Sequence, residues 1–294
     1  MSERFLVTGA HGCIGAWVVA ELVREGTEVV AFDLGAGAGR VALLLDEPEL
    51  RHVRFVRGDV TDPASVASAT AGATHVVHLA ALQYPYCRDD HLGGARVNVL
   101  GTVCVLDAAL AAGAKLVYAS SIAALADGQL YGTWKRANEG AAEAYWAEDG
   151  FPSIGLRPAL VYGVGRDRGV TASMTLAMGS AARGEPFHIV HGGEAPLNHA
   201  GDVARLFVRC ARLDSDGAPV YDTGGAVHHV REVVAAIESA APGRRVTFED
   251  EPFAPMPESF DGSALARTLD GVQWRPLDEG VRQTVERFRD IGRG

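Results

Sequence analysis

The sequence predicts an α/β fold, a doubly wound parallel sheet followed by a small C-terminal α/β region. Three observations carry this. Short, β-branched apolar runs recur through the first half of the chain, longer Ala/Leu/Val-rich stretches separate them, and the alternation loosens beyond about residue 163.

Residues 5–8, 28–32, 53–56, 75–79 and 115–119 each read as a buried strand. They are apolar almost throughout, as strands covered on both faces must be. Residues 14–24, 64–69 and 97–111 read as the helices between them, 131–146 as a further helix and 153–161 as another strand. The later region has more Gly and Pro (Pro186, Gly192, Gly193, Pro196). It holds helical segments at 202–212 and 230–240, a strand-like 245–249, a crossing with Pro252, Pro255 and Pro257, and a helix at 277–288. The expected division is a first domain over 1–163 and a second region over 164–294, interleaved with the last elements of the first.

With 294 residues, 48% of them hydrophobic and 22% charged, the chain can bury a sizeable core. A net charge of −10 argues against nucleic acid or an anionic membrane surface as partner. The four cysteines are widely spaced with no C-x-x-C pair, which argues against a structural disulfide and a cysteine zinc site. Phe5-Leu6-Val7 follows the start so closely that no signal peptide is expected. No apolar run reaches the roughly 18 residues of a membrane helix, so a cytoplasmic protein is expected.

Chemistry enters at Thr8-Gly9-Ala10-His11-Gly12-Cys13-Ile14-Gly15, between the first strand and the first helix. Glycines at 9, 12 and 15 permit a tight turn, close backbone approach to a pyrophosphate, and close helix–sheet packing. The helix N-terminus, with the N–H groups of Gly12, Cys13, Ile14 and Gly15, then faces the phosphates. The second strand ends at Asp33, where a carboxylate accepts ribose hydroxyls and repels a 2′-phosphate, so NAD is expected over NADP. Arg40, nearby, works against that preference. This is the pattern of a Rossmann-type dinucleotide domain.

Tyr131 and Lys135, four apart on one predicted helix, emerge on the same face. A free tyrosine titrates near pH 10 and needs help to serve as a base. A lysine ammonium and an oxidised nicotinamide both favour the phenolate. Only 2 of the 27 basic residues are lysines, so this one looks retained for chemistry. Ser121, after the fifth strand, is the candidate to polarise a substrate oxygen, with Ser120 as the alternative.

In order along nearly the whole chain, these motifs resemble the extended short-chain dehydrogenase/reductase family, the NAD-dependent epimerase/dehydratase group. The resemblance also rests on Gly58-Asp59-Val60-Thr61-Asp62, His78-Leu79-Ala80-Ala81, Asn98-Val99-Leu100-Gly101-Thr102, Ala119-Ser120-Ser121 and Arg157-Pro158-Ala159-Leu160-Val161-Tyr162-Gly163. It implies that Asp59 and Val60 lie against the adenine, and that Leu79, Ala80, Ala81, Asn98 and Pro158 line the cofactor. It also implies that Lys135 holds the nicotinamide ribose, and that two chains pair through residues 97–111 and 131–146.

The chain departs from this family in two places. Tyr131 follows Ser121 by ten positions where members leave roughly two dozen, and Ala123-Ala124-Leu125 replaces a Val-Tyr-Gly. Members that act on nucleotide sugars carry an Asn and an Arg on the substrate diphosphate, and here Leu160 and Ala195 stand there, with Pro196 for a neighbouring Asp. Arg166, Arg168 and Arg183 are the available substitutes. His75 and His78, on a strand, are expected to bond locally, and the His188, His191, His199 and His228-His229 groups do not form a metal pattern.

The expected function is an NAD-dependent oxidoreductase acting at a secondary alcohol or ketone of a sugar-like or natural-product substrate without a nucleotide. The alternative is an NAD-dependent epimerase or dehydratase of a sugar or nucleotide sugar that oxidises its substrate transiently. A non-catalytic cofactor-binding regulator is the third reading.

Overall fold

A computed structural model describes residues 2–243, 245–252 and 260–292; Pro255 and Pro257 lie outside them. The first half runs β1 (Arg4–Thr8), α1 (Cys13–Arg24), β2 (Glu28–Asp33), α2 (Glu47–Leu50), β3 (Val53–Arg57), α3 (Pro63–Thr70) and β4 (His75–His78). It continues through α4 (Tyr84–Asp89), α5 (His91–Ala95), α6 (Gly101–Ala112), β5 (Lys115–Ala119), α7 (Leu130–Asp149), β6 (Ser153–Arg157) and β7 (Leu160–Tyr162). The second half holds α8 (Ser173–Arg183), β8 (Phe187–Ile189), β9 (Glu194–His199), α9 (Ala200–Arg212), β10 (Val220–Asp222) and β11 (Val227–His229). It ends with α10 (Val230–Ala240), β12 (Val246–Phe248), α11 (Ser263–Thr268) and α12 (Leu277–Ile291).

Seven parallel strands form the main sheet in the order β10-β6-β5-β4-β1-β2-β3. The order reverses at β1, so a crevice opens at the C-terminal ends of β1 and β4, where doubly wound sheets bind ligands. Register aligns Thr8 with Phe32 on one side and His78 on the other, and His78 with Tyr118. One face is covered by α1 and α9, with Val18, Val19 and Leu22 packed among Val203 and Phe207. The other face holds Val66 of α3 with Val105 and Leu106 of α6. A third core joins α8, α10 and α12 around β8 and β9, with Met174, Met178, Ile237 and Val281 fully buried.

Two expected elements differ. The strand expected at 153–161 is two strands: β6 pairs with β5 and β10, while β7 leaves to pair with β9 in a three-stranded sheet. Pro158 has no N–H to give a ladder and ends the first strand. The helix expected from 97 begins at His91 and passes through a π-helical turn, Arg96–Leu100, before α6. The whole run, His91–Ala112, is long and apolar enough by composition to cross a membrane, contrary to the expectation that no such run exists. Its inward side packs against α3 and α7, which accounts for much of its apolar character.

Candidate active site

The turn after β1 is fixed by backbone packed on backbone. Gly9 has φ +67°, and a Cβ there would lie 2.6 Å from the Ala80 nitrogen. A Cβ on Gly15 would collide with the Gly9 carbonyl. Gly12 N–H donates to that carbonyl at 2.9 Å. No side chain caps the N-terminus of α1, and its first turn holds no acidic residue. The result is a backbone cradle at a positive dipole end, which fits a dinucleotide pyrophosphate.

At the end of β2, the Asp33 carboxylate accepts from the backbone N–H of His11 (2.9 Å) and Gly35 (3.1 Å). Gly58 N–H donates to the Asp33 carbonyl, which brings Asp59 and Val60 alongside. Asp59 is turned to Thr61, and Val60 packs beneath Gly101. Arg40 lies near enough to feel the Asp33 charge but forms its ion pair elsewhere. It bridges the His11 carbonyl (2.7 Å) and the Asp167 carboxylate, tying the glycine turn to the segment after β7.

Behind the turn, His78 holds three elements together. Its Nδ1 pairs with the Thr8 hydroxyl at 2.7 Å and its Nε2 with the Thr102 hydroxyl at 3.1 Å. Thr102 donates its own proton to the Asn98 carbonyl, so it accepts from Nε2–H and leaves Nδ1 as acceptor. Burial pushes the His78 pKa down to about 3, consistent with this neutral tautomer. Asn98 in turn clamps Leu82 through both backbone groups, at 2.7 and 2.9 Å. It therefore shapes the 80–83 segment rather than reaching the cleft itself. His75 stacks on Phe5 and bonds to Thr74, so both strand histidines are locally satisfied.

The reacting candidates converge at the far end of the crevice. Lys135 is buried, and its ammonium donates to the Ala119 carbonyl at 2.6 Å while lying 5.8 Å from the centre of the Tyr131 ring. Burial lowers its pKa to about 8. Burial also raises the Tyr131 pKa, and a hydrogen bond with Ser121 opposes that rise. Burial is thus the largest influence on the phenol in the protein alone. Ser121 caps the short 3-10 turn Ile122–Leu125, accepting from Ala123 N–H at 3.1 Å. Ser120 is turned to Glu139, which is itself held by Arg157 at 2.7–2.8 Å. The clipped segment after Ser121 is closed by Arg136, which donates to the Ala124 and Ala126 carbonyls at 2.9 and 2.7 Å.

One cleft of about 320 Å³ joins these parts. It runs from Gly9, Gly12, Cys13, Ile14 and Gly15 past Leu79, Ala81 and Pro158 to Ser121, Tyr131 and Lys135. Ala80, Asp33, Asp59, Val60 and Asn98 stand behind or beside it. Sequence reasoning did not place Gln83, Tyr84, Gln129 and Thr171, which line its outer end with Arg166. Gln83 and Gln129 are helix N-caps, Tyr84 opens the short α4 and Thr171 lies in a 3-10 turn, all too short or too terminal to leave a period in the sequence. Leu160 also lines this cleft, and it meets Ala195 in a neighbouring pocket of about 20 Å³ with Met174 and Glu194. Among the described residues, no arginine lines that pocket. Arg183 pairs with Glu185 at the end of α8, and Arg168 reaches toward the Tyr86 hydroxyl at 3.5 Å.

The sequence model of the NAD dependent epimerase/dehydratase family matches residues 5–224. The chain belongs to this family. A UDP-glucose 4-epimerase of Mycolicibacterium smegmatis is 30% identical over 98% of this chain and 99% of its own length. A dTDP-glucose 4,6-dehydratase of Streptomyces niveus is 37% identical over 116 residues, and the match spans only 34% of that relative. The UDP-glucose 4-epimerase of Thermus thermophilus, solved with NAD, is 27% identical with a TM-score of 0.78, covering 97% of this chain and 99% of that one. A Stenotrophomonas maltophila UDP-glucose 4-epimerase shares the fold at 24% identity and a TM-score of 0.84, covering 99% of both chains. Membership in the epimerase/dehydratase family makes the protein an NAD-dependent enzyme of the extended short-chain dehydrogenase/reductase type.

Proposed function

We propose that this family member oxidises a secondary alcohol of a sugar-like, nucleotide-free substrate transiently, as an epimerase or dehydratase, with Tyr131 as the acid/base group. The observation that carries the reading is the single cleft that joins the glycine turn to Tyr131, Lys135 and Ser121. The family and its similar members favour transient oxidation over the net oxidoreductase expected from sequence. Leu160 and Ala195 at the diphosphate-anchor positions support a substrate without a nucleotide; net oxidation is the second reading, because the same Tyr131, Lys135 and Ser121 serve it equally well.

When bound, NAD supplies the acceptor for the hydrogen and electron pair leaving the carbinol carbon, and the donor for their return. The chain's own residues do the rest. Tyr131 Oη takes the hydroxyl proton and Ser121 Oγ hydrogen-bonds the same oxygen. Lys135 Nζ, anchored on the Ala119 carbonyl, has two further N–H donors for the ribose and favours the phenolate by its charge. Gly9, Gly12, Cys13, Ile14 and Gly15 hold the pyrophosphate, while Asp33 takes the ribose hydroxyls and Asp59 and Val60 the adenine edge. Leu79, Ala80, Ala81 and Pro158 pack along the dinucleotide, with Asn98 setting the 80–83 backbone. Residues 1–163 serve as the dinucleotide domain and 164–294 mostly as the substrate region. The enzyme is assigned to the cytoplasm, as a homodimer paired through residues 97–111 and 131–146, a surface on which Leu100 is 50% exposed.

Tyr131→Phe tests the assignment. Turnover, followed by product chromatography alongside NADH absorbance, is expected to fall about 10²- to 10⁴-fold, with NAD binding retained. Unchanged turnover would overturn the catalytic role. Steady NADH accumulation in the unaltered enzyme would replace transient oxidation with net oxidation.

A further inference from the structure

The outer end of the cleft carries a charge pattern that the reaction does not use. The chain has a net charge of −10, yet among the described residues no Asp or Glu lines the cleft. Its charged lining residues are Lys135 and Arg166. Lys135 is committed to the Ala119 carbonyl and the Tyr131 region. Arg166 is not matched: among the described residues it has no carboxylate partner, whereas Arg40, Arg157 and Arg275 are each paired with one. Its Nε is buried without a hydrogen-bond partner, and its Nη2 donates to the Thr171 hydroxyl at 2.7 Å.

The backbone that carries Arg166 is also held in place. Arg166 N–H donates to the Gly163 carbonyl, and Trp17 Nε1 donates to the Val164 carbonyl at 2.9 Å. Gln83 lies close by: a Cβ added at Gly169 would lie 3.2 Å from Gln83 Oε1 and 3.7 Å from Arg166 Nη2. A fixed cation, a hydroxyl and an amide thus converge at the mouth of a cleft whose inner end holds Tyr131.

We infer that Arg166, with Thr171 and Gln83, binds a carboxylate on the substrate, so that the enzyme acts on an acidic sugar. A guanidinium matches a planar carboxylate with two parallel donors. One guanidinium balances one negative charge and leaves a diphosphate undercompensated, which agrees with the anchor positions taken by Leu160 and Ala195. The competing anion is the cofactor's own pyrophosphate, because the charge of Arg166 is felt at Cys13 as well as at Tyr131. The glycine turn and the N-terminus of α1 already serve that group. This inference rests on the proposed reaction for its setting, but it is tested by binding and not by turnover.

The test uses full-length protein carrying Tyr131→Phe, saturated with NAD, so that failure of the catalytic reading does not affect the readout. Calorimetry compares D-glucuronate, D-galacturonate and D-gluconate with D-glucose and D-galactose. At least one acid is expected to bind about tenfold or more tightly than the neutral sugars, as a charged hydrogen bond requires. Adding Arg166→Gln should remove that advantage and leave NAD affinity within about twofold, while Arg166→Lys restores part of it. Equal binding of acids and neutral sugars overturns the inference. So does an Arg166→Gln variant that loses NAD affinity but keeps the acid preference, which assigns Arg166 to the pyrophosphate. Competition by UDP that disappears in Arg166→Gln overturns it in favour of a diphosphate.

Discussion

The two ends of the cleft are built on different principles. At the cofactor end, backbone meets backbone: Gly9 lies against Ala80, Gly15 against the Gly9 carbonyl, and His78 locks Thr8 to Thr102. At the substrate end, short irregular segments from 82–85, 122–129 and 163–171 are joined mainly by side chains, such as Arg136 on Ala124 and Ala126 or Arg166 on Thr171. The first end tolerates almost no change in shape. The second changes its chemistry with single substitutions and leaves the sheet intact.

Acid should separate the ends most strongly. His78 and His199 are held neutral in the folded protein, both with pKa values pushed from 6.5 to about 3 by burial. An unfolded chain therefore binds more protons between these values, so their contribution is fully present above pH 6.5 and lost as pH falls toward 3. Each gives a slope of at most about 1.4 kcal/mol per pH unit. Urea midpoints measured from pH 7.5 downward should fall, and His78→Gln should flatten part of the slope. An unchanged slope in that variant would mean that the Thr8–His78–Thr102 link does not hold the cofactor end.

Gly15→Ala comes next. Its methyl group is driven into the Gly9 carbonyl, and overpacking of this kind costs about 1–3 kcal/mol. NAD titration should no longer saturate where the unaltered protein does. A variant with normal stability and normal NAD binding would break the contrast between the two ends.

The smallest effect is expected for Arg136→Ala, which releases two carbonyls of the clipped segment. Stability should drop by about 0.5–1.5 kcal/mol, KM for the substrate should rise, and NAD affinity should stay within about twofold. Loss of NAD binding would show that the clipped segment supports the cofactor end after all.

The same division decided what could be read from sequence. The glycine turn, Asp33 at the end of β2, and Tyr131 four before Lys135 are constrained by period and spacing, and each sits where that spacing implied. The break at Pro158 was hidden because residues on both sides are apolar and strand-like. Only partner strands reveal that β6 and β7 belong to different sheets. Spacing on a helix says nothing of burial, so the rise that burial imposes on the Tyr131 phenol was not legible either. Gln83, Gln129 and Thr171 escaped notice because helix caps and a short 3-10 turn carry no periodic signal.

That break at Pro158 also bears on how such a molecule changes over generations. Within a few residues the chain passes from Pro158, on the main cleft, to Leu160, which lines both that cleft and the pocket shared with Ala195. Because β7 shares no ladder with the seven-stranded sheet, exchanges at Leu160 or Ala195 do not disturb the strand register under the cofactor. Mutation can therefore redraw what the wall at Leu160 accepts without touching the ladder that carries the glycine turn, which makes the boundary at Pro158 a point where specificity can evolve apart from folding.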